Sequence, residues 1–291
     1  MAFRRCFDVS KINNLSGESL ELYRKLVCDI KSGDVFPAVR DDRLDFYHGG
    51  GVLFSFSGNS FKRNPNYDFY GNATETKKGN RTVAEKTYGK SFINNYEFFK
   101  ECNRKRFSSN GNEDSERKFL DNFYCDTYKG GSFPNVCVLD IEVRINEDGN
   151  KKKCDMVLLK SEADKSKIMF VEAKLYDNNE VKCAEGRIPE VVTQVEGYTE
   201  QLAKHKKTIE QQYINHLDIM SRLIFMKPYD KIDNIELISN AKLLIIGKPK
   251  DAVMTDNQKY SEQVLKERLD VLWVDTDVKF SDIWAGFTAS K

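Results

Sequence analysis

The sequence predicts a mixed α/β protein, in which an N-terminal α+β accessory region precedes a core built on a mixed sheet. Three observations carry this expectation. Residues 136–145, 154–159 and 168–174 read as three consecutive strands. A helix-spaced stretch follows, and a short apolar run at 242–247 then returns as a buried strand. Upstream, two strand-like runs flank Gly49-Gly50-Gly51, which supplies the positive φ angles of a hairpin turn.

The elements follow in order. Leu20, Leu22, Leu26, Val27 and Ile30 give helical spacing over 19–30. Residues 43–47 and 52–56 are the two arms of the hairpin. The polar, turn-rich run 108–114 is the linker candidate, so the expected regions are 1–110 and 111–291. Ser115 can cap a helix from Glu116 to about residue 128, with Phe119, Leu120, Phe123 and Tyr124 on one face. In the first strand Leu139, Ile141, Val143 and Ile145 alternate with Asp140, Glu142 and Arg144, and a turn at 146–150 leads to the second. Helices are expected over 188–202 and 207–226, and a last strand over 271–274. The order is helix, strand, strand, strand, helix, strand.

Composition excludes several classes. The chain has 291 residues, 46 Lys+Arg against 45 Asp+Glu, and 40% hydrophobic residues, which is too apolar and too balanced for disorder. The net charge of +1 excludes a bulk polycation, so any nucleic-acid binding must come from a local patch. No apolar run approaches the roughly 20 residues that span a bilayer, and Met1-Ala2-Phe3-Arg4-Arg5-Cys6 has no apolar stretch behind its charges. The seven cysteines are widely spaced with no CxxC, which reads as free thiols of a reducing compartment and makes zinc unexpected. A cytoplasmic location without membrane contact is expected. His205 and His216 are expected at the surface rather than as a base. The absence of GxxxxGK[ST] argues against an intrinsic ATP motor.

Residues 61–110 hold eleven Lys/Arg against five acids, with ten aromatic rings interleaved. Cations for phosphates and rings for bases compose a nucleic-acid surface, with Lys62, Arg63, Lys77, Lys78, Arg81, Arg104, Lys105 and Arg106 as candidate contacts. The other reading is a small α+β subdomain whose rings are core and whose lysines are solvated. Both stand at this point.

Glu-x-Lys triplets are cheap in so charged a chain, and there are four. Only Glu172-Ala173-Lys174 ends an apolar strand, Ile168-Met169-Phe170-Val171, with an upstream strand that opens on Asp155. The strand period of two puts Glu172 and Lys174 on one face, and hairpin pairing brings Asp155 alongside. Two carboxylates at one place form a hard-oxygen site for Mg²⁺, with Mn²⁺ as a substitute, and a nearby ammonium neutralises charge on a phosphoryl group. Glu142 is a rival acid on the first strand, facing the same side as Asp140.

Asp155, sixteen intervening residues and Glu172-Ala173-Lys174 resemble the signature of the PD-(D/E)XK nuclease superfamily. The element order is similar to its restriction-endonuclease-like core. Gln194-Val195-Glu196-Gly197-Tyr198 resembles the QxxxY motif of RecB-like members, and Glu116 resembles the helix-borne glutamate of resolvase-like ones. Cys154 stands where the superfamily often has proline. The resemblance covers about residues 112–250; nothing comparable is found for 1–110. It implies that Asp155 and Glu172, with Glu116 as a further ligand, hold Mg²⁺. It implies that Lys174 positions the attacking water, and that Gln194 and Tyr198 assist. The implied activity is metal-dependent phosphodiester hydrolysis, as an endonuclease or exonuclease acting on DNA in restriction, repair, recombination or defence. An RNase, a structure-specific resolvase acting as a homodimer, a catalytically silent nucleic-acid-binding module and a protein–protein adaptor remain alternatives.

Overall fold

The computed structural model describes residues 3–58, 60–64, 91–108, 116–117, 119–121, 123–124, 127–131, 134–145, 153–162, 165–223, 232–249 and 253–289. The chain divides into two compact units. The N-terminal unit is Arg4–Phe133 with Asn215–Tyr229, and the C-terminal unit is Pro134–Ile214 and Asp230–Lys291 with Met1–Phe3. The chain therefore changes unit at Phe133/Pro134, downstream of the polar run at 108–114. Among the described residues, no helix is long and apolar enough to cross a membrane.

The N-terminal unit opens with a short helix α1 (Ser10–Asn13) and a longer α2 (Gly17–Ser32). Leu22, Tyr23, Leu26, Val27 and Ile30 form the buried face of α2, and Gly33 in the left-handed region stops it. Strands β1 (Phe36–Arg40), β2 (Arg43–His48), β3 (Gly51–Ser57) and β4 (Ser60–Lys62) form an antiparallel meander in sequence order. The sequence reading missed β1 because Pro37 interrupts its pattern; β1 is an edge strand, where proline costs no ladder bond. Helix α3 (Tyr96–Ser108) packs on β2 and β3. Phe54 is the hub of an aromatic core and meets Phe61, Phe92, Tyr96 and Phe99 with ring centroids 5.4–6.3 Å apart. Residues 116–117, 119–121 and 123–124 are helical, as expected.

A polar network lies among these elements. Lys100 of α3 is 4% exposed and pairs with Asp29 at 2.7 Å and with Asp34. The Tyr96 hydroxyl donates to the same Asp29 oxygen at 2.9 Å. His48 is buried, donates from Nδ1 to the Asp34 carbonyl at 2.7 Å, and lies 3.2 Å from its carboxylate. The hydrogen bond from His48, with help from Lys100, holds the Asp34 carboxyl well below the usual carboxylate range against its desolvation. Asp121 accepts from the Gly49 amide at 3.0 Å, tying the helical stretch to the hairpin turn.

The C-terminal unit is built on a six-stranded mixed sheet. Its strands are β5 (Val136–Val143), β6 (Cys154–Lys160), β7 (Ser166–Leu175), β8 (Ile235–Leu237), β9 (Lys242–Ile246) and β10 (Asp270–Val274). The order is β10-β9-β7-β6-β5, with β8 also beside β7. β5, β6 and β7 pair antiparallel, whereas β7–β9 and β9–β10 are parallel. β7 is the central strand, and its buried run from Ile168 to Lys174 is covered on both faces. One continuous helix, α4 (Glu190–Arg222), replaces the two segments expected from sequence. The intervening Lys204-His205-Lys206-Lys207 does not interrupt it, since lysine is a good helix former. Val191, Val192, Val195, Tyr198, Leu202, Ile209 and Tyr213 line its buried side. His216, expected at the surface, is fully buried on the part of α4 that belongs to the N-terminal unit. The sequence reading also missed α5 (Asp256–Arg268) and α6 (Phe280–Ala289). α5 starts at a Thr255/Gln258 capping box and is mostly polar, so its periodicity is faint.

Two expectations follow for the N-terminal unit. Gly49 has φ +59°, and a Cβ there would lie 3.1–3.2 Å from Arg104 atoms, whereas Gly58 at φ +71° has open space. Gly49→Ala should therefore lower stability by about 1–3 kcal/mol and by more than Gly58→Ala; equal urea midpoints for the two variants would refute the close approach. Because the folded Asp34 pKa is depressed, its contribution is complete above the unfolded value near 4 and is lost as pH falls through the folded one. Asp34→Asn should thus destabilise at pH 7, with the deficit shrinking progressively below about pH 4. Urea unfolding of both proteins across that range reads it directly.

Candidate active site

The site forms at the C-terminal end of β7. Glu172 is 1% exposed and Lys174 8%, and the strand period sets both on one face. Their side chains pair at 2.8 Å. Charges this deep persist only with partners, because desolvation costs several kcal/mol per ion. Glu172 meets that need with Lys174 and with Gln194 of α4, whose Nε2 donates to Glu172 Oε1 at 2.5 Å. The same Nε2 lies 2.9 Å from the Tyr198 hydroxyl, one helical turn on. Lys174 reaches a second carboxylate, Glu180, at 3.2 Å.

β6 supplies the other acid. Met156 pairs with Val171 in the antiparallel register, so the next position along places Asp155 across from Glu172. Asp155 Oδ2 accepts the Ala173 amide at 2.8 Å, which extends the ladder by one side-chain bond. Neighbouring groups respond to this concentration of negative charge. Burial, followed by the Glu172 charge, raises Tyr198 far above the ordinary phenol range, so it stays a neutral hydroxyl. Cys154, where the resembled superfamily often has proline, is buried, and burial together with Glu172 and Asp155 keeps it a thiol.

The five expected residues Asp155, Glu172, Lys174, Gln194 and Tyr198 thus lie together on the C-terminal unit. Glu116 is a half-buried helical residue of the N-terminal unit. Glu142 sits at φ +52° and pairs with Lys153 at 2.8 Å. Asp140, on the same strand, is fully buried and accepts from Tyr213 at 3.2 Å. Glu180 was missed as a site residue: it is carried by a 3₁₀ turn capped by Asn178, and only the Asn178 cap is visible in sequence.

The basic candidates scatter. Lys77, Lys78 and Arg81 lie outside the described residues. The Arg63 guanidinium is engaged within the N-terminal unit, donating to Leu53 O at 3.0 Å, Asn103 Oδ1 at 3.3 Å and Phe99 O at 3.3 Å. It also lies 4.4 Å from the Phe99 ring centroid. Lys62 is exposed, and exposed Arg104 and Lys105 both pair with Glu101, at 3.5 and 3.3 Å. Arg106 is half-buried with its Nε enclosed. Phe61, Tyr96 and Phe99 are core, so these rings are not a stacking surface.

Among the described residues, no group of three or more His, Cys, Asp and Glu side chains is placed to hold a metal ion. The donor chemistry present is two carboxylates, Asp155 and Glu172. That number suits Mg²⁺, which is commonly bound by one or two carboxylates and keeps several waters.

Comparisons with protein-family models, with curated proteins and with solved structures find no match to this chain.

The Glu172–Lys174 pair makes an energetic prediction. Lys174→Met should destabilise the C-terminal unit by about 3 kcal/mol, because it strands a buried carboxylate. Glu172→Gln should cost less, since Lys174 keeps Glu180. The double variant should be more stable than the sum of the two losses predicts. A denaturant double-mutant cycle measures the coupling, and a value near zero would mean that the pair is not a unit.

Proposed function

We propose that the chain is a metal-dependent nuclease that hydrolyses phosphodiester bonds, with DNA as its substrate. The observation that carries the reading is the convergence of Asp155, Glu172 and Lys174 on one face of the sheet, with Gln194 and Tyr198 brought to it by the next helix. Such a set is costly to bury. Its spacing is that of the PD-(D/E)XK pattern, and β5, β6, β7, α4 and β9, with the short β8 between the last two, follow the strand-strand-strand-helix-strand order of that superfamily's core. The pattern's leading helix falls in the other unit. The reading rests on Asp155 and Glu172 as the metal-holding pair.

Each side chain has a part in this chemistry. Asp155 and Glu172 would hold Mg²⁺. When bound, the ion supplies a Lewis acid for the phosphoryl oxygen and lowers the pKa of water. Lys174 places a positive charge beside the carboxylates, where it orients a water and offsets the charge that grows on the phosphoryl group. Glu172 and Glu180 hold its ammonium from two sides. Gln194 fixes the Glu172 carboxylate, and Tyr198 in turn holds Gln194.

The test offers supercoiled plasmid, linear duplex, single-stranded DNA and RNA with Mg²⁺ or Mn²⁺, against EDTA. Cleavage should fall by roughly 10²–10³-fold in Glu172→Ala and Lys174→Ala, and by roughly 10–100-fold in Gln194→Ala. Preferential cutting of RNA would make the enzyme a ribonuclease. Cleavage that persists in Glu172→Ala, or binding without metal-dependent cutting of any substrate, would overturn the reading.

A further inference from the structure

Beyond the catalytic cluster, an aromatic cleft opens on the same sheet face, and nothing in the sequence pattern singles it out. β7 pairs Lys174 with Ile245 of β9, and β9 pairs Ile245 with Trp273 of β10. Lys174, Ile245 and Trp273 are therefore one row across parallel strands, pointing to one side. Two strand spacings of about 4.8 Å put Trp273 about 10 Å along that row from Lys174. Tyr176 follows Lys174 by two residues and is held on the ladder, donating from its amide to Ile246 O at 2.9 Å. Tyr176 and Trp273 meet edge to face with centroids 6.1 Å apart.

Lys248 stands over both rings, 5.0 Å from the Trp273 centroid and 5.8 Å from that of Tyr176, and is anchored to Glu262 at 2.5 Å. Beside these rings is a cleft of about 260 Å³ lined by Lys248, Pro249, Trp273, Val274 and Asp275. That volume lies below the roughly 300 Å³ at which drug-sized sites begin, so it suits one ring system. Trp273 is only partly buried. Among the described residues, neither its indole Nε1 nor the Tyr176 hydroxyl has a hydrogen-bond partner.

We propose that this cleft holds a nucleobase of the strand that enters the active site, an inference that rests on the nuclease reading. The base stacks against the Trp273 indole and Pro249. Lys248 meets a phosphate of the same strand. Stacking on an aromatic face accepts any base, so the subsite gives position and affinity rather than sequence choice. About 10 Å is the length of about three stacked nucleotides at about 3.4 Å each, so the held base lies about three nucleotides from the scissile bond.

The chain has two tryptophans, and Trp284 is 3% exposed, so a Trp284→Phe background leaves Trp273 as the sole reporter. The 291-residue chain in EDTA is titrated with a short single-stranded oligodeoxynucleotide and with an abasic strand of the same length and charge. The base-containing strand should quench Trp273 saturably. The abasic strand should bind roughly tenfold more weakly and leave the emission unchanged. With Mg²⁺, Trp273→Ala should raise KM more than it lowers kcat, and Trp273→Phe should restore most of the loss. Equal binding of both strands, or an unaltered KM in Trp273→Ala while cutting still depends on Glu172, would overturn the base subsite and leave the nuclease standing. No binding of either strand and no Glu172-dependent cutting would overturn both.

Discussion

A carboxylate buried in the middle of a sheet constrains the rest of the C-terminal unit. Glu172 is 1% exposed and lies on the central strand. Its charge survives there only if cations and donors arrive from outside the strand or two residues along it. Lys174 can answer from the same face because the strand period is two. Gln194 can answer because α4 crosses that face after the 3₁₀ turn at Asn179–Val181. Asp155 arrives because β6 runs antiparallel in the matching register. A slip of one residue in any of these pairings would turn a member of the set to the opposite face.

Both units use the same device to bury a lysine. Lys174 is held between Glu172 and Glu180, and Lys100 between Asp29 and Asp34. At Lys100 the hydrogen bonds and charges of Asp29 and Asp34 raise the pKa against its desolvation. The surroundings differ. Around Lys100 the acids are tied to Tyr96 and His48, which come from α3 and the hairpin, so the network joins elements of the core. Around Lys174 the carboxylates come from β7 and a 3₁₀ turn, and Gln194 of α4 meets Glu172 beside them.

The basic and aromatic composition of residues 61–110 fits two structures equally well. Its described rings pack on one another and on Phe54, and Arg63 spends its donors on main-chain oxygens and Asn103. An aromatic ring gains more from burial than from exposure whenever a sheet face is within reach. Clustering of rings and cations in sequence therefore does not by itself locate a surface.

The sequence alone determined the elements with strong periodicity. The α2 helix, the β2–β3 hairpin and the strands β5, β6, β7 and β9 were legible because alternation and helical spacing are local properties. The residues of the candidate site were legible too, since Glu172 and Lys174 are two apart on a strand and Gln194 and Tyr198 four apart on a helix. Tertiary structure decided what depends on register and packing. It chose Glu180 as the second partner of Lys174, assigned Glu116 to the other unit, turned Arg63 inward and set Trp273 in line with Lys174 across three strands. None of these follows from spacing along the chain, because each joins residues through strand pairing or a helix crossing fixed by the burial of other side chains.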